Sequence, residues 1–121
     1  MLLIADPPSA VAALSALAHL GRLDVFKLLV RTGPEGLAAG EIARITGSLP
    51  NTLSTNLGIL SAAGLVGSRR EGRSVVYTAD YGGMGDLLAY LVQDCCNGNP
   101  EICAPLVEVA GRCCAPAAQA S

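Results

Sequence analysis

The chain has no tryptophan, one phenylalanine and three tyrosines among its 121 residues, and no histidine besides His19. A core so poor in rings must be filled by Leu, Val, Ile and Ala, which suits close helix packing. No apolar run reaches the roughly 20 residues a membrane-spanning helix needs. Met1-Leu2-Leu3-Ile4-Ala5-Asp6 also has no basic segment ahead of its short apolar stretch. Neither secretion nor membrane insertion is expected, and the expected location is the cytoplasm. Cysteine is absent before position 95: Cys95, Cys96, Cys103, Cys113 and Cys114 all fall in the last 27 residues. A disulfide-stapled secreted domain distributes its cysteines through the core, and five thiols cannot all pair within one chain. A reducing compartment is expected, where a thiol cluster binds a metal or reacts. With no C-x-x-C and no cofactor loop, an enzyme is not expected.

The length is that of one domain, and 51% apolar composition with no sustained charge run argues against disorder for most of it. Net charge is −2, yet its distribution is uneven. Between Gly40 and Thr78 stand Arg44, Arg69, Arg70 and Arg73 against Glu41 and Glu71; from Asp80 onward five acids face Arg112 alone. The middle of the chain is therefore the part suited to a polyanion.

Asp6-Pro7-Pro8 predicts a helix start, with Asp6 capping free amides and Val11, Leu14, Leu17 and Ala18 following at helical spacing. That helix has hardly any polar surface and calls for a partner surface. After Gly21, a second helix carries Leu23, Phe26, Leu28, Leu29 and Val30 inward, with Lys27 and Arg31 outward, and stops at Thr32-Gly33-Pro34. A third runs through LAAGEIARITG with Leu37, Ile42, Ala43 and Ile45 as its inner face and Gly47 as its left-handed stop. A fourth, PNTLSTNLGILSAAG, has Leu53, Leu57 and Leu60 on one stripe and Asn51, Thr52, Ser54, Thr55 and Asn56 opposite it. Strands at Leu65–Arg70 and Arg73–Thr78, joined by Glu71-Gly72, form a hairpin that must lean on the helices. Met84, Leu87, Leu88, Leu91 and Val92 describe a last apolar helix running into Cys95. The expected fold is mainly α with a small β-hairpin: a winged helix-turn-helix of about five helices plus a two-stranded wing, dimeric. Residues 1–96 are expected to form the DNA-binding and dimerisation domain, and 97–121 a Cys-containing tail, partly disordered.

Two short helices around a tight turn, then a basic-tipped hairpin, are parts that fit DNA. The major groove admits one helix, whose small polar side chains reach base edges, while arginines at a hairpin tip meet phosphate. Asn51, Thr52, Ser54, Thr55, Asn56, Arg69, Arg70 and Arg73 are the expected contacts. Each feature alone also fits an ordinary solvated surface; their order favours DNA.

The run Leu53-Ser54-Thr55-Asn56-Leu57-Gly58-Ile59-Leu60, then Ala63-Gly64-Leu65-Val66, Arg69-Arg70-Glu71-Gly72-Arg73 and Tyr77, resembles the recognition helix and wing of the ArsR/SmtB metal-responsive repressors. Leu17-Ala18, Arg22-Leu23 and Glu41-Ile42-Ala43 extend the likeness over about residues 10 to 95. The resemblance implies a homodimer paired through its first and last helices and bound to operator DNA. The chain departs from the family pattern where Asn56 replaces a frequent His and where His19-Leu20-Gly21 replaces a short polar turn.

Set against the family's metal sites, Glu41 to Leu60 holds no cysteine, and the last helix offers Asp86 without histidine. His19 is expected to sit at a helix end and not to be a ligand. Sulfur remains, and soft thiolates select soft ions. The arrangement of Cys95, Cys96 and Cys103 after the last helix is similar to an arsenic-responsive subgroup of the family, with Asn97-Gly98 and Asn99-Pro100 able to turn the chain back. Three sulfurs suit trivalent arsenic or antimony but are too few for a closed zinc site. Cys113 and Cys114 could join, or capture a methylarsenite, and a fourth sulfur would admit cadmium, lead or zinc. The expected function is a repressor released from operator DNA when arsenite, methylarsenite or antimonite binds these thiols. The alternatives are a redox-sensing or soft-metal-sensing regulator of the same fold.

Overall fold

A computed structural model of the protein describes residues 6–92, together with Pro105 and Glu108. The chain divides into two units, Met1–Tyr90 and Leu91–Ser121. The first contains almost everything described. Among the described residues there are five helices, α1 (Pro7–Leu17), α2 (Leu20–Thr32), α3 (Ala39–Thr46), α4 (Pro50–Ala62) and α5 (Tyr81–Val92), and three strands, β1 (Leu37–Ala38), β2 (Val66–Glu71) and β3 (Ser74–Ala79).

α1 starts at Pro7 as the sequence predicts, but Asp6 makes no side-chain cap; its backbone carbonyl alone accepts from Ala10 N–H at 3.0 Å. The face turned to the core is not the stripe of Val11 and Leu14. Ala10, Ala13 and Ala16 are buried, while Val11 is 64% exposed and Leu14 is exposed as well. Small side chains let α1 lie close on its neighbours, and the larger ones then point away. His19 is the N-cap of α2: its Nδ1 accepts from Arg22 N–H at 3.3 Å, and the Arg22 guanidinium in turn donates to the carbonyl of Ala16 at 2.6 Å. The α1–α2 corner is thus tied by His19, which caps α2, and by Arg22, which reaches back to the end of α1.

Leu29, Ile42, Leu53, Leu60, Leu65 and Val25 are the largest fully buried side chains, and the single phenylalanine, Phe26, joins them. This is the aliphatic core that the scarcity of aromatics requires. Val25, absent from the predicted inner face of α2, belongs to it.

The predicted third helix begins two residues late. Leu37 and Ala38 form β1, which pairs antiparallel with β3, so the hairpin is two-thirds of a three-stranded sheet ordered β1-β3-β2. A two-residue strand carries no alternation signal, which is why the run reads as helix from sequence. Ile45, expected inside, is exposed. The hairpin turn is also shifted by one residue: Glu71 pairs with Ser74, leaving Gly72-Arg73 as the loop, with Gly72 at φ 63°. Two-residue loops of this kind need a left-handed first residue, and glycine supplies it without strain.

α4 ends in a Schellman motif: Leu65 N–H donates to the carbonyl of Leu60 at 3.0 Å and Gly64 N–H to that of Ser61 at 3.1 Å. Asp80 then starts α5, its Oδ1 accepting from Gly83 N–H at 2.9 Å. Replacing Asp80 by alanine removes this cap and is expected to cost about 1 kcal/mol, read as a lower urea midpoint at unchanged slope. On α5, Gly83 and Leu87 are buried and Met84 and Tyr90 partly so, whereas Leu88 is 55% exposed and Leu91 and Val92 are also exposed. The exposed Leu88 leaves this helix with apolar surface outside the core.

Candidate nucleic-acid interface

α3 and α4 meet through Gly47, Ser48 and Leu49. Gly47 stands at φ 72°, and the N–H of Ser48 donates back to the carbonyl of Ala43 at 3.1 Å. Thr46 Oγ1 donates to the carbonyl of Ile42 at 2.7 Å and lies 2.7 Å from Ser48 Oγ, so the turn is closed by side chains as well as backbone. Pro50 occupies the first turn of α4. These bonds set the angle between the two helices. The sequence shows Gly47 and Pro50 but not the hydroxyl pair, whose pairing needs the turn itself.

α4 buries Leu53, Leu57 and Leu60, as its stripe predicts, and carries no charged residue. Asn51, Thr52, Ser54 and Thr55 are exposed on its first two turns. Thr55 Oγ1 donates to the carbonyl of Asn51 at 3.1 Å, which fixes one rotamer on this surface. Ser54 lies at the rim of an apolar cleft of about 140 Å³ lined by Ala39, Ala43, Pro50, Leu57 and Tyr77. Leu49, 72% exposed at the turn, is an apolar neighbour of this surface that composition alone does not single out.

Asn56 differs from the other four. It is 5% exposed and not on the outward face that the sequence reading gives it. Three residues after Leu53 and four before Leu60, it belongs to the buried stripe, since such a stripe spans more than one position per turn. Gly21 makes room for it: a Cβ at that position would stand 3.4 Å from Asn56 Nδ2. Packing against the first turn of α2 is the place the structure gives this side chain.

The three wing arginines also separate. Arg69 is engaged: its Nε donates to Glu71 Oε2 at 2.5 Å, and its two terminal nitrogens donate to the carbonyls of Pro34 at 3.1 Å and Glu35 at 2.8 Å. Among the described residues, Arg70 and Arg73 make no side-chain hydrogen bond or ion pair, and both are exposed at the end of the hairpin. Arg44 pairs with Glu41 at 2.6 Å on the exposed side of α3, and this carboxylate holds the guanidinium above its ordinary pKa. From α3 through the wing, charge available to a polyanion is therefore concentrated at the wing tip, beside an α4 surface that is polar and neutral.

Cys95, Cys96, Cys103, Cys113 and Cys114 lie outside the described residues. Among the described residues no group of His, Cys, Asp and Glu could hold a metal ion, and no helix is long and apolar enough to cross a membrane.

A helix-turn-helix domain model matches residues 17–69. The chain is 31% identical over 87 residues to the HTH-type transcriptional regulator YgaV of Escherichia coli K12, covering 72% of this chain and 86% of that protein. Among solved structures, it is similar to Mb0332 of Mycobacterium bovis, described as a homodimeric winged helix-turn-helix DNA-binding domain and a possible ArsR-family regulator. That likeness has TM-score 0.58 and 34% identity, over 71% of this chain and 76% of that one. It is likewise similar to reduced HlyU from Vibrio cholerae N16961, with TM-score 0.54 and 31% identity, over 69% of this chain and 88% of that one. With the helix-turn-helix, the wing and these relatives together, the chain belongs to the HTH-type transcriptional regulators, as a winged helix-turn-helix protein of the ArsR type and not an enzyme.

Proposed function

We propose that the protein is a homodimeric repressor that holds operator DNA when its thiols are empty and releases it when trivalent arsenic or antimony binds Cys95, Cys96 and Cys103. The observation that carries the DNA half is the pairing of a neutral, hydrogen-bonding α4 surface with Arg70 and Arg73 at an exposed hairpin end. Asn51, Thr52, Ser54 and Thr55 read the groove, and the wing meets phosphate. Asn56 supports α4 from within. The exposed Val11, Leu14 and Leu88 give α1 and α5 apolar surface for a second copy. Mb0332, a relative, is homodimeric.

The metalloid half rests on the chain's own chemistry: three thiols within nine residues, with turn-forming Asn97-Gly98 and Asn99-Pro100 between Cys96 and Cys103. In a dimer, two recognition helices must stand about 34 Å apart to enter successive major grooves. Thiols drawn together after α5 shift that spacing. Such coupling is about 1–3 kcal/mol and reciprocal, so DNA weakens metalloid binding by the same factor.

A gel-shift titration on the native promoter fragment, run in parallel with arsenite, methylarsenite, zinc and peroxide, tests this. Release by arsenite with reduced thiols supports it; retention in excess arsenite ends it. Release by peroxide alone supports the second reading, thiol redox sensing, which the likeness to a protein solved in a reduced form favours.

The wing has its own test. Arg70→Ala is expected to weaken binding to all sequences alike and to lower the slope of log K against log salt by about 0.9 for each phosphate that Arg70 neutralises. An unchanged slope removes Arg70 from the interface.

A further inference from the structure

Of the three wing arginines, one is bonded to the protein itself. The loop from α2 to β1 is a turn closed by the N–H of Gly36 donating to the carbonyl of Gly33 at 3.1 Å, which leaves the carbonyls of Pro34 and Glu35 at its middle. The Arg69 guanidinium donates to both of these carbonyls, and Glu71 holds its third side from the same strand. The loop comes this near the wing because Gly36, at φ 69°, has no side chain: a Cβ there would lie 2.5 Å from the Tyr77 carbonyl oxygen and 2.7 Å from Thr78 Cγ2. One arginine therefore ties β2, an outer strand of the wing, to a loop more than 30 residues earlier that feeds straight into the helix-turn-helix.

We infer that Arg69 is a positioning residue for the wing and not a DNA contact: it fixes the hairpin's angle to the α3–α4 unit, so that Arg70 and Arg73 meet phosphate when α4 enters the groove. This rests on the DNA-binding reading above. Three of the five N–H donors of this guanidinium are committed to two carbonyls and a carboxylate, which hold it against the loop and set Glu71 against its charge, so swinging out to phosphate costs those bonds. Its neighbours need give up nothing. Hinging of an unlatched wing dilutes the binding-competent pose, and apparent affinity falls by the fraction of time that pose is lost.

The discriminating readout is salt dependence, because a phosphate contact releases counterions and a latch does not. Affinity for the native promoter fragment is measured across about 50 to 200 mM salt for wild type, Arg69→Ala, Arg69→Gln and Arg70→Ala. Arg69→Ala is expected to lose about tenfold at every salt concentration, as if the wing were poised a tenth of the time, with the wild-type slope intact. Arg69→Gln, neutral but still able to donate to a carbonyl, is expected to recover part of that loss. Arg70→Ala is expected to flatten the slope. A flattened slope for Arg69→Ala, or affinity equal to wild type, overturns the latch. A second measurement needs no variant: in the nitrogen-proton spectrum of the wild-type protein, the Arg69 Nε–H signal is expected to stay in place on adding promoter DNA while those of Arg70 and Arg73 move. Movement of the Arg69 signal together with the others also overturns it. A wild type whose binding does not depend on salt defeats the DNA-binding reading itself, a result distinct from either failure of the latch.

Discussion

Gly83→Ala is expected to destabilise the protein by about 2–3 kcal/mol or more, a large share of the stability of a domain this size. Gly83 lies in the first turn of α5, where the chain crosses the Schellman turn that ends α4. A Cβ at this position would stand 1.9 Å from the carbonyl oxygen of Gly64 and 3.1 Å from its carbonyl carbon. Both obstacles are backbone, so no rotamer change relieves them. Gly64 cannot retreat cheaply, since its N–H bonds Ser61 and the next residue's N–H bonds Leu60. Nor can the helix simply slide, because Asp80 ties its start through the Gly83 N–H and through its own N–H to the carbonyl of Leu65 at 2.8 Å. The urea midpoint measures the loss, and an unchanged midpoint would show that the two segments do not touch. Gly85→Ala serves as a control of opposite sign. Among the described residues, nothing beyond its chain neighbours and its own helix backbone lies within 4 Å of a Cβ built there, so the usual helix advantage of alanine over glycine, about 0.5–1 kcal/mol, is expected to appear as a gain.

Cys96→Ser is expected to keep promoter affinity and lose release by arsenite. A serine hydroxyl is not a soft ligand, and a three-sulfur site reduced to two no longer matches inorganic trivalent arsenic. If the coupling between thiols and DNA is about 1–3 kcal/mol, arsenite weakens wild-type binding by about 5- to 150-fold, and the variant loses that whole factor. Gel-shift midpoints with and without arsenite measure it. Undiminished release assigns the site elsewhere, with Cys113 and Cys114 the next thiols to replace. Methylarsenite separates the cases further, because it needs only two thiols and can still act where inorganic arsenite fails.

Much of the scaffold was legible in the residues. Leu53, Leu57 and Leu60 mark the buried side of α4, Gly47 and Gly64 mark helix ends, and the change of period after Gly64 marks the wing; all of these are local signals, carried by spacing within a few residues. The misreadings are equally specific. Leu37-Ala38 looks helical until β3 is there to pair with it, because a strand of two residues has no pattern of its own. Val11 and Leu14 read only as an apolar stripe that calls for a partner surface, and that the alanines of α1 make the closer approach to the core is seen only in the folded chain.

The amino-acid sequence by itself determined the order of helices, turn and wing, the placing of positive charge at the hairpin, and the gathering of every thiol near one end of the chain. These depend on which residues occur at which spacing, and spacing survives without coordinates. Only the tertiary structure decided that Asn56 packs inside while Asn51, Thr52, Ser54 and Thr55 face out, and that Arg69 bonds the loop before β1 while Arg70 and Arg73 do not. The reason is that a side chain's partner can lie far away along the chain: Gly21 gives Asn56 its room, and a turn closed by Gly36 brings the Pro34 and Glu35 carbonyls to Arg69. Three arginines that are equal as letters become one tether and two exposed charges once that loop is folded against the wing.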